Sequence, residues 1–209
     1  VEEKMNSTGK PHRRAGRLNK RDLLLNAAIE VFAQKGSNSA TIADVARKAR
    51  VALGTVYIYF ESKDDLLQRC MNEVISNEID TIISKTAGIV DPMDRLYEFF
   101  MHHITLVNEK PYIARFITVE VRQSESFARR NPGYNPMQRY LDFVEKISQG
   151  AIDSGRIRPI DPKAFALLVV GAMDIIIWQW LASDSHMDIE AVSYQIRQIL
   201  HSGVVNPQV

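Results

Sequence analysis

Apolar residues recur at three- and four-residue intervals through nearly all of the chain beyond residue 20, and strand-like alternation is almost absent. A chain with that pattern must bury helix faces against helices, so the expected fold is all-α. The punctuation agrees: Asp, Ser, Pro and Gly fall between the periodic stretches. A first helix is predicted over about Lys20–Lys35, with Leu24, Ala27, Ala28, Val31 and Phe32 on one face and Gly36 just past its end. Thr41-Ile-Ala-Asp44 has the spacing of a capping box, with Thr41 at the N-cap and Asp44 at N3. It opens a short helix to about Ala49, and a tight turn leads to a second short helix, about Leu53–Phe60. Ser62-Lys-Asp-Asp65 then caps a long helix to about Thr86. Further helices are expected from Pro92 to about Val107, Pro111 to about Ser124, Met137–Ser154, Pro162–Ala182 and Asp188–Ser202, with a loop at Asn131–Pro136. That makes nine helices and no sheet.

The run Ala164–Ala182 is nearly all apolar and long enough to consider as a membrane span. Asp174 and Gln179 interrupt it, and no basic cluster flanks it. A helix buried at a subunit interface is the better expectation, with no membrane partner. The single cysteine, Cys70, permits no internal disulfide, and Cys/His metal spacing is absent, so neither metal nor cofactor is expected. The first twenty residues are polar and basic without an apolar core, so a secretory leader is not expected and a cytoplasmic location is.

The net charge of +1 conceals an asymmetry. Residues 1–60 hold eleven Lys/Arg against five Asp/Glu, whereas the remainder holds fifteen against twenty. A basic head on an acidic body suits a chain that meets a polyanion at one end. Within that head, the segment Ala40–Leu67 reads as two short helices joined by a tight turn. Ile42, Val45, Ala46, Val51, Val56 and Phe60 form its inner face, while Gly54, Thr55, Ile58 and Tyr59 point away, flanked by Leu53 and Tyr57. Such a helix can enter a major groove, where Gly54 allows close approach, Thr55 and Tyr57 reach base edges, and Tyr59 and Lys63 hold phosphates. The alternative, a helical hairpin within a bundle, leaves the outward aromatics unexplained.

These residues resemble the DNA-binding signature of TetR-type repressors: Thr41-Ile42, Val45-Ala46, Gly54-Thr55-Val56-Tyr57, Tyr59-Phe60, then Ser62-Lys63 with Leu66. The resemblance implies phosphate contacts from Thr41, Tyr59 and Lys63, base contacts from Leu53, Gly54, Thr55 and Tyr57, and a nine-helix dimer on palindromic operator DNA. The domains would be a flexible basic arm at 1–17, a helix-turn-helix head at 18–63 and an effector-binding, dimerising body at 64–209. Two positions depart from the signature. Arg50 replaces the usual turn glycine, at a cost of roughly 1–2 kcal/mol if left-handed, and Ala52 replaces a Ser/Thr cap, at about 1 kcal/mol. In the arm, Arg13, Arg14 and Arg17 can follow phosphates or an adjacent minor groove, or belong to a solvated tail.

For the body, the resemblance places the last two helices of each subunit in a four-helix interface, with Phe165, Leu168, Val169, Ala172, Ile176, Ile196 and Leu200 as interface candidates, beside Trp180 and Ile189. Candidates to meet an effector are Phe100, Ile104, Phe116, Glu120, Arg122, Gln123, Tyr140, Asp174 and Trp178, with Tyr97, Tyr112, Val119, Val144 and Ile147 as further lining, though helical spacing explains each as plain core too. Glu120-Val-Arg-Gln-Ser124, Gly150-Ala-Ile-Asp-Ser-Gly-Arg-Ile157 and Gly171-Ala-Met-Asp174 with Trp178 resemble the acyl-CoA-responsive, FadR-type branch of Gram-positive bacteria. That branch implies a small apolar effector, an acyl-CoA, with Arg115, Arg122 and Arg139 as candidates for the CoA phosphates. An enzyme is the first rival reading, but no nucleophile elbow, dinucleotide turn, Walker loop or paired zinc-binding histidines occur. Adjacent His102 and His103 diverge by about 100° on a helix and make a poor ligand pair. The second rival is a helical DNA-binding adaptor without a small-molecule inducer.

Overall fold

The computed structural model describes residues 19–120, 129–183 and 186–204. Among these, every regular element is helical: α1 (Lys20–Lys35), α2 (Ile42–Ala49), α3 (Leu53–Tyr59), α4 (Lys63–Thr86), α5 (Pro92–Glu109), α6 (Pro111–Arg115), α7 (Gln138–Asp153), α8 (Pro162–Ala182) and α9 (Ile189–Val204), with a π-helix at Phe116–Glu120 following α6. The arm residues Arg13, Arg14 and Arg17, and the effector candidates Arg122 and Gln123, lie outside the described residues.

Side-chain caps fix where the helices start. Asn19 accepts from the N–H groups of Arg21 and Asp22, at 2.6 and 3.2 Å. Thr41 and Asp44 form the full capping box, Ser62 Oγ accepts from the Asp65 N–H at 3.1 Å, and Asp91 and Asp161 cap α5 and α8 with Pro at the first turn. Each carboxylate cap also sits at the positive end of its helix dipole. Gly36 ends α1 at φ 75°, a conformation that favours glycine.

In the head, α2 packs across α1 and α3 against α2, so that Leu24, Ala28, Phe32, Val45, Val56 and Phe60 lose nearly all contact with water. Burial of each large apolar side chain contributes roughly 1.5–3 kcal/mol, which is what stabilises helices as short as α2 and α3. The first half of α4 closes the same core with Leu66, Leu67 and Cys70, whose thiol sits 3.8 Å from the Leu25 carbonyl. The rest of α4 belongs to the body, where α5, α7 and α8 surround an aromatic centre. Phe99 lies edge-on to Tyr140 and stacks with Phe143, both at 6.0 Å.

Two sequence expectations change here. The helix expected to run from Pro111 to Ser124 is α-helical only to Arg115, and its next five residues widen into the π-helix. That shift in register points Glu120 toward the head. The apolar α8 shows only 39% burial in its most apolar window, of mean hydropathy 1.9, because two of its sides differ. Phe165, Val169 and Ile176, expected at a dimer interface, face the chain's own core and are 4% exposed or less. The outer side instead carries Leu167, Leu168, Ile175 and Trp178. A helix apolar all round gives periodicity no second face to detect.

Candidate nucleic-acid interface and effector cavity

Helix α3 rests on the head through Val56, which is fully buried, and Phe60 just beyond its end. Its other sides face solvent: Leu53 is 48% exposed, Tyr57 54% and Ile58 76%, with Tyr59 also exposed. A Cβ added at Gly54 would meet nothing within 4 Å, so no neighbouring side chain crowds that backbone. Leu53, Gly54, Thr55, Tyr57 and Tyr59 thus share one accessible helix, together with Ile58, whose apolar side chain suits contact with a thymine methyl.

The turn ahead of α3 is strained as its sequence implies. Arg50 adopts φ 57°, ψ 45°, the one left-handed non-glycine among the described residues. Ala52 makes no side-chain cap bond at the α3 N-terminus. Both departures from the signature therefore act on the recognition helix itself.

Two residues expected to contact phosphates also have partners within the head. The Thr41 hydroxyl accepts from the Asp44 N–H at 3.1 Å and donates to the Asp44 carboxylate at 2.9 Å. Lys63 Nζ donates to the Ser37 and Ala40 carbonyls, at 2.8 and 3.2 Å, tying the start of α4 to the α1–α2 loop. Each side chain thus already has partners within the head, while Thr41 stays exposed and the Lys63 ammonium keeps a third donor. Asp44 is in turn held by Lys35 at 2.8 Å and paired with Arg47. Bonds from Lys35 and Thr41 hold its carboxyl well below the usual carboxylate range, so the capping charge is compensated beside a surface that would meet DNA.

Glu120 is likewise not a pocket residue. It is 1% exposed, and its carboxylate accepts from the Ser37 N–H at 3.0 Å, across 83 residues of chain. Arg115, a candidate for CoA phosphates, donates from Nε to the Ala33 carbonyl at 2.9 Å. The α6–π segment of the body therefore grips the end of α1 and the loop behind it, the same loop that Lys63 holds from α4. An acidic residue closing an apolar helix was the only hint of this in the sequence.

Of the other effector candidates, Phe100 and Ile104 line an open cavity of about 390 Å³ between α5 and α9, with Tyr97, Met101, Ser193 and Arg197. Phe116 and Tyr140 are packed in the core, at 0% and 1% exposure, and do not line it. The Tyr140 hydroxyl has no hydrogen-bond partner, and burial pushes its pKa up. Trp178 and Tyr112 are surface residues, at 44% and 45%, which removes Trp178 from the pocket and places it on the outer stripe of α8. Asp174 is half-buried and engaged within the chain. Arg139 pairs with Asp80 at 2.7 Å above a groove of about 600 Å³ between α4 and α7, where Ile147 also lies. Next to the aromatic centre, His102 bonds Glu78 at 2.8 Å and His103 bonds the Phe99 carbonyl at 2.7 Å. Burial lowers His103 to about 4, so it is neutral at physiological pH.

An exposed recognition helix on a small basic head, joined by one long helix to a helical body with an open cavity, defines a helix-turn-helix regulator. The comparisons make the class specific. Residues 24–70 match the family model of bacterial regulatory proteins of the tetR family, and residues 69–203 match the C-terminal region of YsiA-like proteins. The chain belongs to the TetR family: it is a DNA-binding transcriptional regulator and not an enzyme. It is 26% identical over 184 residues to the fatty acid metabolism regulator protein of Bacillus subtilis, covering 88% of this chain and 94% of that one. It is 30% identical over 164 residues to the transcriptional repressor KstR2 of Mycobacterium tuberculosis, covering 69% and 73%. The crystal structure of FadR from Bacillus subtilis in complex with stearoyl-CoA superposes with a TM-score of 0.79 at 26% identity, over 87% of this chain and 97% of that one.

Proposed function

We propose that this protein is a cytoplasmic repressor that binds a palindromic operator as a homodimer and leaves it when a fatty acyl-CoA binds. The observation that carries the reading is the outward set Leu53, Gly54, Thr55, Tyr57 and Tyr59 on a helix anchored only by Val56 and Phe60. Two such helices on a two-fold axis read successive major grooves of one operator. The outer stripe of α8, Leu167, Leu168, Ile175 and Trp178, with Tyr194 and Ile199 of α9, is apolar surface that a second copy would cover. Ala172, Ile196 and Leu200 are half-buried on the same two helices.

The acyl-CoA assignment draws support from the similarity to a regulator solved with stearoyl-CoA and from the apolar cavity in the body. Release requires that the ligand prefer a dimer whose recognition helices are spaced wrongly for DNA; equal affinity for both states would release nothing. The grip of Glu120 and Arg115 on the α1–α2 loop supplies a physical route from body to head.

The test is footprinting and fluorescence anisotropy on the DNA upstream of its own gene, with sedimentation at about twice the 23.7 kDa chain mass. Medium- or long-chain acyl-CoA should raise the melting temperature and release the DNA, while free CoA does neither. A protein indifferent to duplex DNA at low salt, or a monomer on DNA, overturns the reading.

A further inference from the structure

We infer that the seam between α5 and α9 is an acyl-chain site, with the Ser193 hydroxyl and the Arg197 guanidinium as its polar ends. This rests on the effector reading above and assigns that effector a place. The two helices run antiparallel, since Ile104 and Glu190 share one end of the seam and Asp94 and His201 share the other. Large side chains of α5, Phe100 and Ile104, face small ones of α9, Ala191 and Ser193. That mismatch leaves about 390 Å³ open, within the range of roughly 300–1,000 Å³ that small ligands occupy. A second space of about 110 Å³ continues along the seam and shares Tyr97, Phe100 and Arg197 with the first.

Ser193 is what distinguishes the seam from a packing fault. It is 4% exposed and its Oγ has no hydrogen-bond partner. Several helical hydroxyls turn back on their own helix, Thr81 to Asn77, Thr86 to Ile82 and Ser148 to Glu145; Thr118 of the π-helix is also buried without a partner but lines neither space of the seam. Ser193 lines the cavity instead, leaving a buried donor and acceptor free for a ligand oxygen. Arg197 lies 4.1 Å from the Tyr97 ring centre and forms no ion pair among the described residues. A guanidinium held on an aromatic face at the mouth of an apolar cavity recognises an anion attached to a chain. A fatty acid and an acyl-CoA share that chemistry. An occupant would also wedge α9, whose exposed Tyr194 borders the cavity and whose Ile199 lies outside it, away from α5, and so act on the apolar surface that a second copy would cover.

Photo-crosslinking decides the matter on the full-length protein, with a diazirine-tailed decanoate, the matching decanoyl-CoA, and mass spectrometry of the labelled peptides. Label on residues 97–104 and 190–197 is expected, stronger for whichever carrier is the natural one. Ala191→Trp, at an exposed position that fills the cavity from its mouth, should cut labelling and affinity at least about tenfold while thermal unfolding stays intact. Arg197→Gln should weaken the anionic probes about tenfold or more and leave the binding of decanol unchanged. Label confined to the α4–α7 groove or the aromatic centre overturns this site and leaves the acyl effector standing. No saturable label with either probe, together with no acyl-CoA thermal shift, overturns both.

Discussion

Head and body bury their helices by the same apolar spacing, yet they expose their function in opposite ways. In the head, α3 turns Val56 inward, half-buries Thr55 and leaves its other residues in water, so whatever is outward and aromatic is available for DNA. In the body, α8 is apolar on all sides, α5 divides its residues between core and cavity, and polar groups such as Glu78, His102 and Tyr140 sit inside. The head thus presents a surface whose chemistry can be read from side-chain type. The body hides its chemistry behind a choice of neighbours, because burial is non-directional and any apolar partner satisfies it.

That contrast can be broken at several points. The largest effect is expected from Ile175→Glu on the outer stripe of α8, where the side chain is 48% exposed in the single chain. The variant should keep its helical signal, sediment as a monomer and lose operator affinity by about two orders of magnitude or more, as the second head ceases to be tethered. A dimer with full affinity would mean the stripe is not the interface. Next, Tyr57→Ala should weaken the operator about tenfold to a hundredfold without moving thermal unfolding, since the ring is 54% exposed. An equal loss of stability would show that the ring supports the head.

Glu120→Ala tests the join between the regions. It strips the part-buried Ser37 N–H of its acceptor, a cost of about 1 kcal/mol, and effector-driven release should weaken with it. Unchanged melting and release would reduce the contact to coincidence.

The body should also respond to acid. His103 is held near 4 in the fold by burial, against 6.5 for the unperturbed side chain. Between those values the unfolded chain binds the extra proton, so stability is full above about 6.5, falls as pH drops toward 4, and levels off below. His103→Leu should flatten that part of the urea-midpoint profile, and an unaltered slope would assign it to other groups. The smallest changes are gains in the head: Arg50→Gly and Ala52→Ser should each add about 1 kcal/mol, by relieving the left-handed residue and capping α3. Melting temperatures unmoved by either would show the turn to be relaxed already.

The sequence carried the helix starts because caps act over three or four residues. Thr41 with Asp44, Ser62 with Asp65, and Asp161 with Pro162 are all local pairs. It carried the recognition face for a similar reason: Val56 and Phe60 lie one turn apart, and their burial sets every other side of α3 outward. The partners of Thr41 and Lys63 inside the head were not legible, since a hydroxyl or ammonium that suits a phosphate also suits a nearby carbonyl or carboxylate. Phe165, Val169 and Trp178 were assigned to the wrong sides of α8, where composition offers no contrast between in and out.

By itself, then, the order of residues determined an all-helical chain, its helix starts, and a short helix offered to DNA, because those follow from interactions within a turn or two. Tertiary packing alone decided that Glu120 would clasp Ser37 across 83 residues, that Ser193 would face a void, and which stripe of α8 would remain bare. Those outcomes depend on which distant helix arrives opposite, and a 3.6-residue period records that a face is buried without recording against what.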